Sequence, residues 1–154
     1  MTHIMVYLSK EKLEDLKDEL EKRSRQTRRE IADIISSAKE LGDLSENFEY
    51  QDAKEQQALN EARVVQLEEM VHNAVLVEKT TGTDLIDLGC TFQVVVNGIE
   101  KTFSLVGSTE ADPISGKISN ESPLGQAFVG HRVGETVLLS VPSGSIEYKI
   151  IKIL

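Results

Sequence analysis

The chain has 154 residues, of which 40% are apolar and 5% aromatic, with no Trp and a formal net charge of −9. This length allows one ordinary domain or two small ones, and the apolar content excludes a disordered tail. The acidic excess excludes binding to nucleic acid through a general electrostatic field, so any contact with DNA or RNA must be local or made through a partner.

The N-terminal residues Met1–Met5 show neither a basic leader nor a long apolar core. No run approaches the roughly 20 apolar residues that span a membrane. A soluble protein is expected. The single cysteine, Cys90, sits in the apolar setting Gly89-Cys90-Thr91-Phe92, which reads as a buried strand thiol in a chain suited to the reducing cytoplasm.

Glycine and proline divide the sequence. Residues 1–81 contain no proline and only one glycine, Gly42, whereas the remainder holds nine glycines and all three prolines. Together with the turn formers Thr80-Thr81-Gly82-Thr83-Asp84, this shift predicts a boundary between domains 1–79 and 80–154.

In the first domain Ser9 is placed to cap a helix. Apolar or small residues follow at positions 13, 16, 20, 24, 27, 31, 34, 38 and 41, a stripe along one helix face. The two consecutive steps of four around Leu20 interrupt a strict heptad, as a stutter does. A second helix is expected from about Glu46 to Asn73, with a stripe of Phe48, Ala53, Leu59, Ala62, Leu67, Met70 and Ala74. Arms of about 30 residues are about 45 Å long. Their short connector around Gly42 makes them antiparallel neighbours, giving a two-helix coiled coil. The run Lys22-Arg23-Ser24-Arg25 with Arg28-Arg29 reads as a solvated face beside acidic neighbours, with a basic binding patch as the alternative.

The second domain changes to period two. Thr91–Val96 is rich in β-branched residues, Asn97-Gly98 signals a hairpin turn, and Lys101–Val106 is the return strand. Glu135–Val141 and Ile146–Leu154 form another strand pair, and Pro123–Gly130 has helical spacing opened by proline. The predicted class is α+β: a coiled-coil hairpin followed by a small antiparallel β domain with a short helix.

One location offers chemistry. Asp43 and Glu46 are three apart at the turn between the helices. Such a pair could hold a hydrated Mg²⁺ or orient a water toward a phosphodiester. The same spacing satisfies a capping box, with Asp43 as N-cap and Glu46 at the third helical position. Spacing alone favours the cap, and the two roles are compatible because a carboxylate has two oxygens. A metal needs more ligands than this pair. His3, His72 and His131 are scattered, and the sequence has no phosphate-binding glycine loop, nucleophile elbow or paired cysteine motif. It is not expected to be a self-sufficient enzyme.

The stretch Gly42-Asp43-Leu44-Ser45-Glu46-Asn47-Phe48-Glu49-Tyr50, followed by Ala53-Lys54-Glu55-Gln56-Gln57, resembles the signature of the Gre transcript-cleavage factors of the GreA type. Glu110-Ala111-Asp112 and Ile118-Ser119-Asn120-Glu121-Ser122-Pro123-Leu124-Gly125 resemble that family's C-terminal signature. The resemblance covers essentially the whole chain. It implies a coiled coil joined to a domain similar to the FKBP prolyl isomerases. It implies a factor that docks on bacterial RNA polymerase at the secondary channel and inserts the coiled coil. The factor then stimulates the polymerase's own hydrolysis of the backtracked RNA 3′ end. Asp43 and Glu46 match the acidic pair that helps bind a Mg²⁺ shared with the polymerase. Gly42, Ser45, Asn47 and Tyr50 match positions that shape the loop, and Lys39 and Lys54 match basic positions facing RNA. Asp112, Glu121, Ser122 and Pro123 match the part that meets the polymerase. Phe48 departs from the alanine common in the family and is expected to pack at the base of the tip. The chain is expected to act as a monomer. The alternative is a relative that binds the channel without promoting cleavage and so modulates or inhibits the polymerase.

Overall fold

Long polar stretches punctuated by one apolar residue per turn can only form helices that share a stripe. In the computed structural model, which describes residues 4–43 and 47–154, this is what the first part of the chain does. Strand β1 (Val6–Leu8) leads into helix α1 (Lys10–Lys22), a π turn over Arg23–Thr27, and α2 (Arg28–Glu40). Helix α3 (Phe48–His72) returns, followed by β2 (Ala74–Leu76). Ser9 caps α1 as expected, its hydroxyl accepting the Lys12 backbone N–H at 3.2 Å.

Two compact units emerge. One spans Leu13–Asn73, and the other combines the residues up to Lys12 with Ala74–Leu154. The boundary near residue 80 therefore does not coincide with the compact units. The reason is β1, which pairs in parallel with β2 in the register Val6 to Ala74 and Leu8 to Leu76. Three-residue strands this far apart in sequence carry no legible period.

The helical unit is an antiparallel hairpin. Ile31 and Ile35 of α2 bury against Ala53 of α3, with Tyr50 packed beside them. Leu16 and Ile31 are both buried and lie fifteen residues apart, one more than two heptads. The π turn absorbs that extra residue by widening one turn, so the interruption expected as a stutter is a π turn instead. Beyond it the stripe runs through Ile35 and Ala38, while Ile34 is 41% exposed, so the expected register slips by one position there. On α3 the buried positions are Ala53, Asn60, Val64 and Leu67, and Leu59 lies outside the stripe.

Asn60 is the one buried polar residue among the described residues, 4% exposed. Its amide donates to the Arg23 carbonyl at 3.2 Å, and its carbonyl oxygen accepts from the Arg23 guanidinium at 3.4 Å. The Arg23 carbonyl also receives the Arg28 N–H across the π turn. Arg63 grips Glu19 with two hydrogen bonds of 2.9 Å, and Arg23 donates to the same carboxylate at 2.7 Å. Arg28 forms a second two-pronged pair with Glu61. The basic run is thus largely engaged by acids, Arg25 with Glu21 included, as a solvated face requires.

The second unit is a five-stranded sheet in the order β5-β4-β3-β7-β6. β3 (Thr91–Val96) and β4 (Ile99–Val106) form the expected hairpin, and β6 (Thr136–Val141) with β7 (Gly144–Ile153) form the second. Asn97 and Gly98 take φ of +52° and +76°, the twist that a two-residue hairpin turn demands. The pairings are antiparallel except at one edge, where β5 (Lys117–Ser119) runs parallel to β4. Helix α4 (Pro123–Phe128) buries Phe128 against Phe92 and Tyr148, with ring centroids 4.8 and 5.5 Å apart. Cys90 is buried just before β3.

Hydrogen bonds from Arg63 and then Arg23 hold the Glu19 carboxyl down at about 2, against an ordinary 4.5. Its contribution to stability is complete above pH 4.5 and is lost as the pH falls toward 2. Glu19→Gln should lower hairpin stability by about 1 kcal/mol at neutral pH. Its acid titration, followed by circular dichroism, should be flatter between those two pH values than that of the parent. In the sheet unit, Phe128→Ala should cost about 3–5 kcal/mol in a denaturant titration.

Candidate functional site at the hairpin tip

The tip is built from the end of α2 and the start of α3. Helix α2 closes at Leu41, whose N–H donates to the Ala38 carbonyl at 3.2 Å. Gly42 then takes φ of +108°, a turn conformation that residues with a Cβ rarely adopt. Asp43 follows, exposed. Leu44, Ser45 and Glu46 lie outside the described residues, and with them the second acid of the pair and one loop-shaping residue.

Asn47 joins the two arms. Its side-chain oxygen accepts the Tyr50 N–H at 3.1 Å, capping α3. Its amide nitrogen donates to the Ala38 carbonyl at 2.7 Å, across the hairpin. One side chain thereby satisfies a donor at the start of one helix and adds a second donor to the Ala38 carbonyl at the end of the other. The capping-box reading of Asp43 is corrected by this geometry: the N-cap is Asn47, four residues later. Sequence alone misplaced the helix start because Asp43 and Asn47 are both good caps, and only the closure against Ala38 selects between them.

Tyr50 packs inward with Ile31, Ile35 and Ala53. Phe48 does not pack at the base of the tip. It is the first residue of α3 and is 82% exposed. Lys39 lies exposed in the last turn of α2, and Lys54 is exposed on α3 with its ammonium 2.8 Å from the Gln57 side-chain oxygen.

Among the described residues no group of three or more His, Cys, Asp or Glu could hold a metal ion.

The other matched residues lie in the sheet unit. Asp112 caps a short 3₁₀ turn over Pro113–Ser115 and accepts the Ile114 N–H at 3.2 Å. The Ser115 hydroxyl and that N–H hold its carboxyl below the usual aspartate range. Ser122 caps α4, its hydroxyl accepting the Gly125 N–H at 3.0 Å, and Pro123 opens the helix. Glu121 is exposed beside them. The 3₁₀ turn and the cap of α4 flank β5 on either side in sequence.

Two family models cover nearly the whole chain. "Transcription elongation factor, N-terminal" matches residues 6–76, and "Transcription elongation factor, GreA/GreB, C-term" matches residues 81–154. The chain belongs to the GreA/GreB family of transcription elongation factors. The transcription elongation factor GreA of Halalkalibacterium halodurans is 42% identical over 98% of this chain and 96% of its own length. That of Caldanaerobacter subterraneus subsp. tengcongensis is 44% identical over 96% of each. Among solved structures, GreA factor homolog 1 of Thermus thermophilus is 31% identical, covers 98% of this chain and 99% of its own, and superposes with a TM-score of 0.45. As a member of this family the chain is a transcription elongation factor of the GreA type. No helix among its described residues is long and apolar enough to cross a membrane.

The buried Asn60 and the π turn it holds escaped the sequence reading. A signal for Asn60 existed, since it sits midway in the heptad Ala53, Asn60, Leu67. Two variants separate the roles of Asn47. Asn47→Ala should weaken the first turn of α3 by about 1 kcal/mol, read as faster hydrogen exchange at the Tyr50 amide. Asn47→Asp keeps an oxygen for the cap but loses the donor to Ala38, so it should retain Tyr50 protection and loosen only the end of α2.

Proposed function

We propose that this elongation factor acts on bacterial RNA polymerase by stimulating hydrolysis of the extruded 3′ end of backtracked RNA. The observation that carries this reading is Asp43, exposed on the end of the hairpin in a chain of the GreA/GreB family.

In this reading the hairpin enters the secondary channel and presents Asp43 and Glu46 to the polymerase's catalytic centre. The two carboxylates would hold a Mg²⁺ together with ligands from the polymerase, since this chain alone lacks a full set among its described residues. Bound there, Mg²⁺ would supply electrostatic stabilisation to a phosphodiester under attack by water. Asn47 ties the end of α2 to the start of α3 on either side of the connector. Lys39 and Lys54 would offset phosphate charge beside the tip. Asp112, Glu121, Ser122 and Pro123 would meet the polymerase rim, where the capped turn and capped helix fix their backbones. The factor is not itself the nuclease: the hydrolytic centre is the polymerase's, and the factor works with it in the cytoplasm as a monomer.

Addition of the protein to stalled, backtracked complexes with Mg²⁺ should release short 3′ RNA fragments faster than polymerase alone. Asp43→Ala and Glu46→Ala should each reduce release to the polymerase-only rate while still co-purifying with polymerase. Normal cleavage by both variants would remove the acids from the mechanism.

A further inference from the structure

The tip has a second chemical character besides its acidity. Two large apolar side chains bracket the connector, Leu41 at its start and Phe48 at its end, 71% and 82% exposed. Neither contributes to the hairpin core, which is made by Ile31, Ile35, Ala53 and Tyr50. Asn47 fixes the backbone on both sides, bonding Ala38 three residues before Leu41 and capping the helix that Phe48 begins. The apolar pair is thus mounted on closed helix ends.

We propose that Phe48, with Leu41 beside the same connector, is a stacking platform for an unpaired nucleobase of the RNA 3′ end. The proposal rests on the reading of the tip as the part that meets RNA. Charge decides the kind of contact. In a chain of net charge −9 with Asp43 at the turn, the acidic end of the tip exerts no attraction of its own on phosphate. A base face is uncharged, and stacking on an aromatic ring tolerates any base because every base has a π face. The lysines that could take phosphates follow the apolar pair away from the turn: Lys39 is two residues before Leu41, and Lys54 is six residues along α3 from Phe48, about 9 Å along the helix axis. From the turn outward the tip offers acid, apolar surface and then cation, which complements the scissile linkage, the base and the flanking phosphates of one nucleotide strand. Phe48 is in this account a positioning residue. It holds the base so that the linkage lies at the acids, and it takes no part in proton or metal chemistry.

The test uses backtracked polymerase complexes whose extruded 3′ nucleotide carries a purine, a pyrimidine or no base. The parent protein should cleave the purine-ended RNA about fivefold or more faster than the abasic one, with pyrimidine between them. Phe48→Ala should lose most of that difference while leaving the abasic rate, the affinity for polymerase and the melting temperature unchanged. Phe48→Trp should preserve it. A Phe48→Ala protein with the parent's rates on all three RNAs overturns the platform but leaves the role of Asp43 standing. Equal losses on all three RNAs, abasic included, also overturn it, because the side chain would then act without the base. Failure of the parent protein to stimulate any cleavage overturns both readings together.

Discussion

Two helices packed side by side bury only one stripe each, and everything in the helical unit follows from that constraint. The buried contacts of α2 with α3 amount to a few aliphatic side chains and Ala53, with Tyr50 filling the space near the tip. So narrow an interface cannot hold its own ends closed, because the last carbonyls of one helix and the first amides of the other lack their regular i to i+4 helical partners. Asn47 resolves both with one side chain, using its oxygen for Tyr50 and its amide for Ala38. Asp43 follows two residues after Leu41, where α2 closes on Ala38.

The same scarcity of core explains the polar seam halfway along the hairpin. Asn60 occupies a stripe position that an aliphatic residue would ordinarily take, and its amide meets the carbonyl of Arg23 at the π turn. A π turn weakens the regular ladder and leaves its carbonyls poorly satisfied, so a buried side-chain donor at this point completes their bonding. Arg23, Arg63 and Glu19 extend the seam outward into solvent. A buried polar pair of this sort fixes the register of two helices better than interchangeable apolar contacts do.

In the sheet unit the dependence runs differently. Phe92, Phe103, Phe128 and Tyr148 lie within 4.8–6.3 Å of one another wherever their rings pair, so a chain with few aromatics gathers most of them in one core. That core anchors α4 and leaves the cap of that helix, at Ser122, facing outward with Glu121 and Pro123. Of the residues matched to the C-terminal signature, Ser122 and Asp112 each cap the turn they begin.

Much of this was legible in the residues. The period-two run at Thr91–Val96, the Asn97-Gly98 turn and the proline-opened helix at Pro123 are local signals, and local physics decides them. The helical stripe was legible as far as Ile31, as was the acidic turn at Gly42-Asp43. Tertiary structure alone decided the rest. The parallel pairing of β1 with β2 joins segments some seventy residues apart. The π turn shifts burial from Ile34 to Ile35, and the partner helix offers Asn60 to it. The cap of α3 falls on Asn47, which also bonds Ala38 on the opposite arm. Phe48, which the sequence suggested would pack, is left in solvent because Tyr50 already fills the interface. Each of these outcomes depends on a contact between residues distant in sequence, which neither period nor propensity encodes.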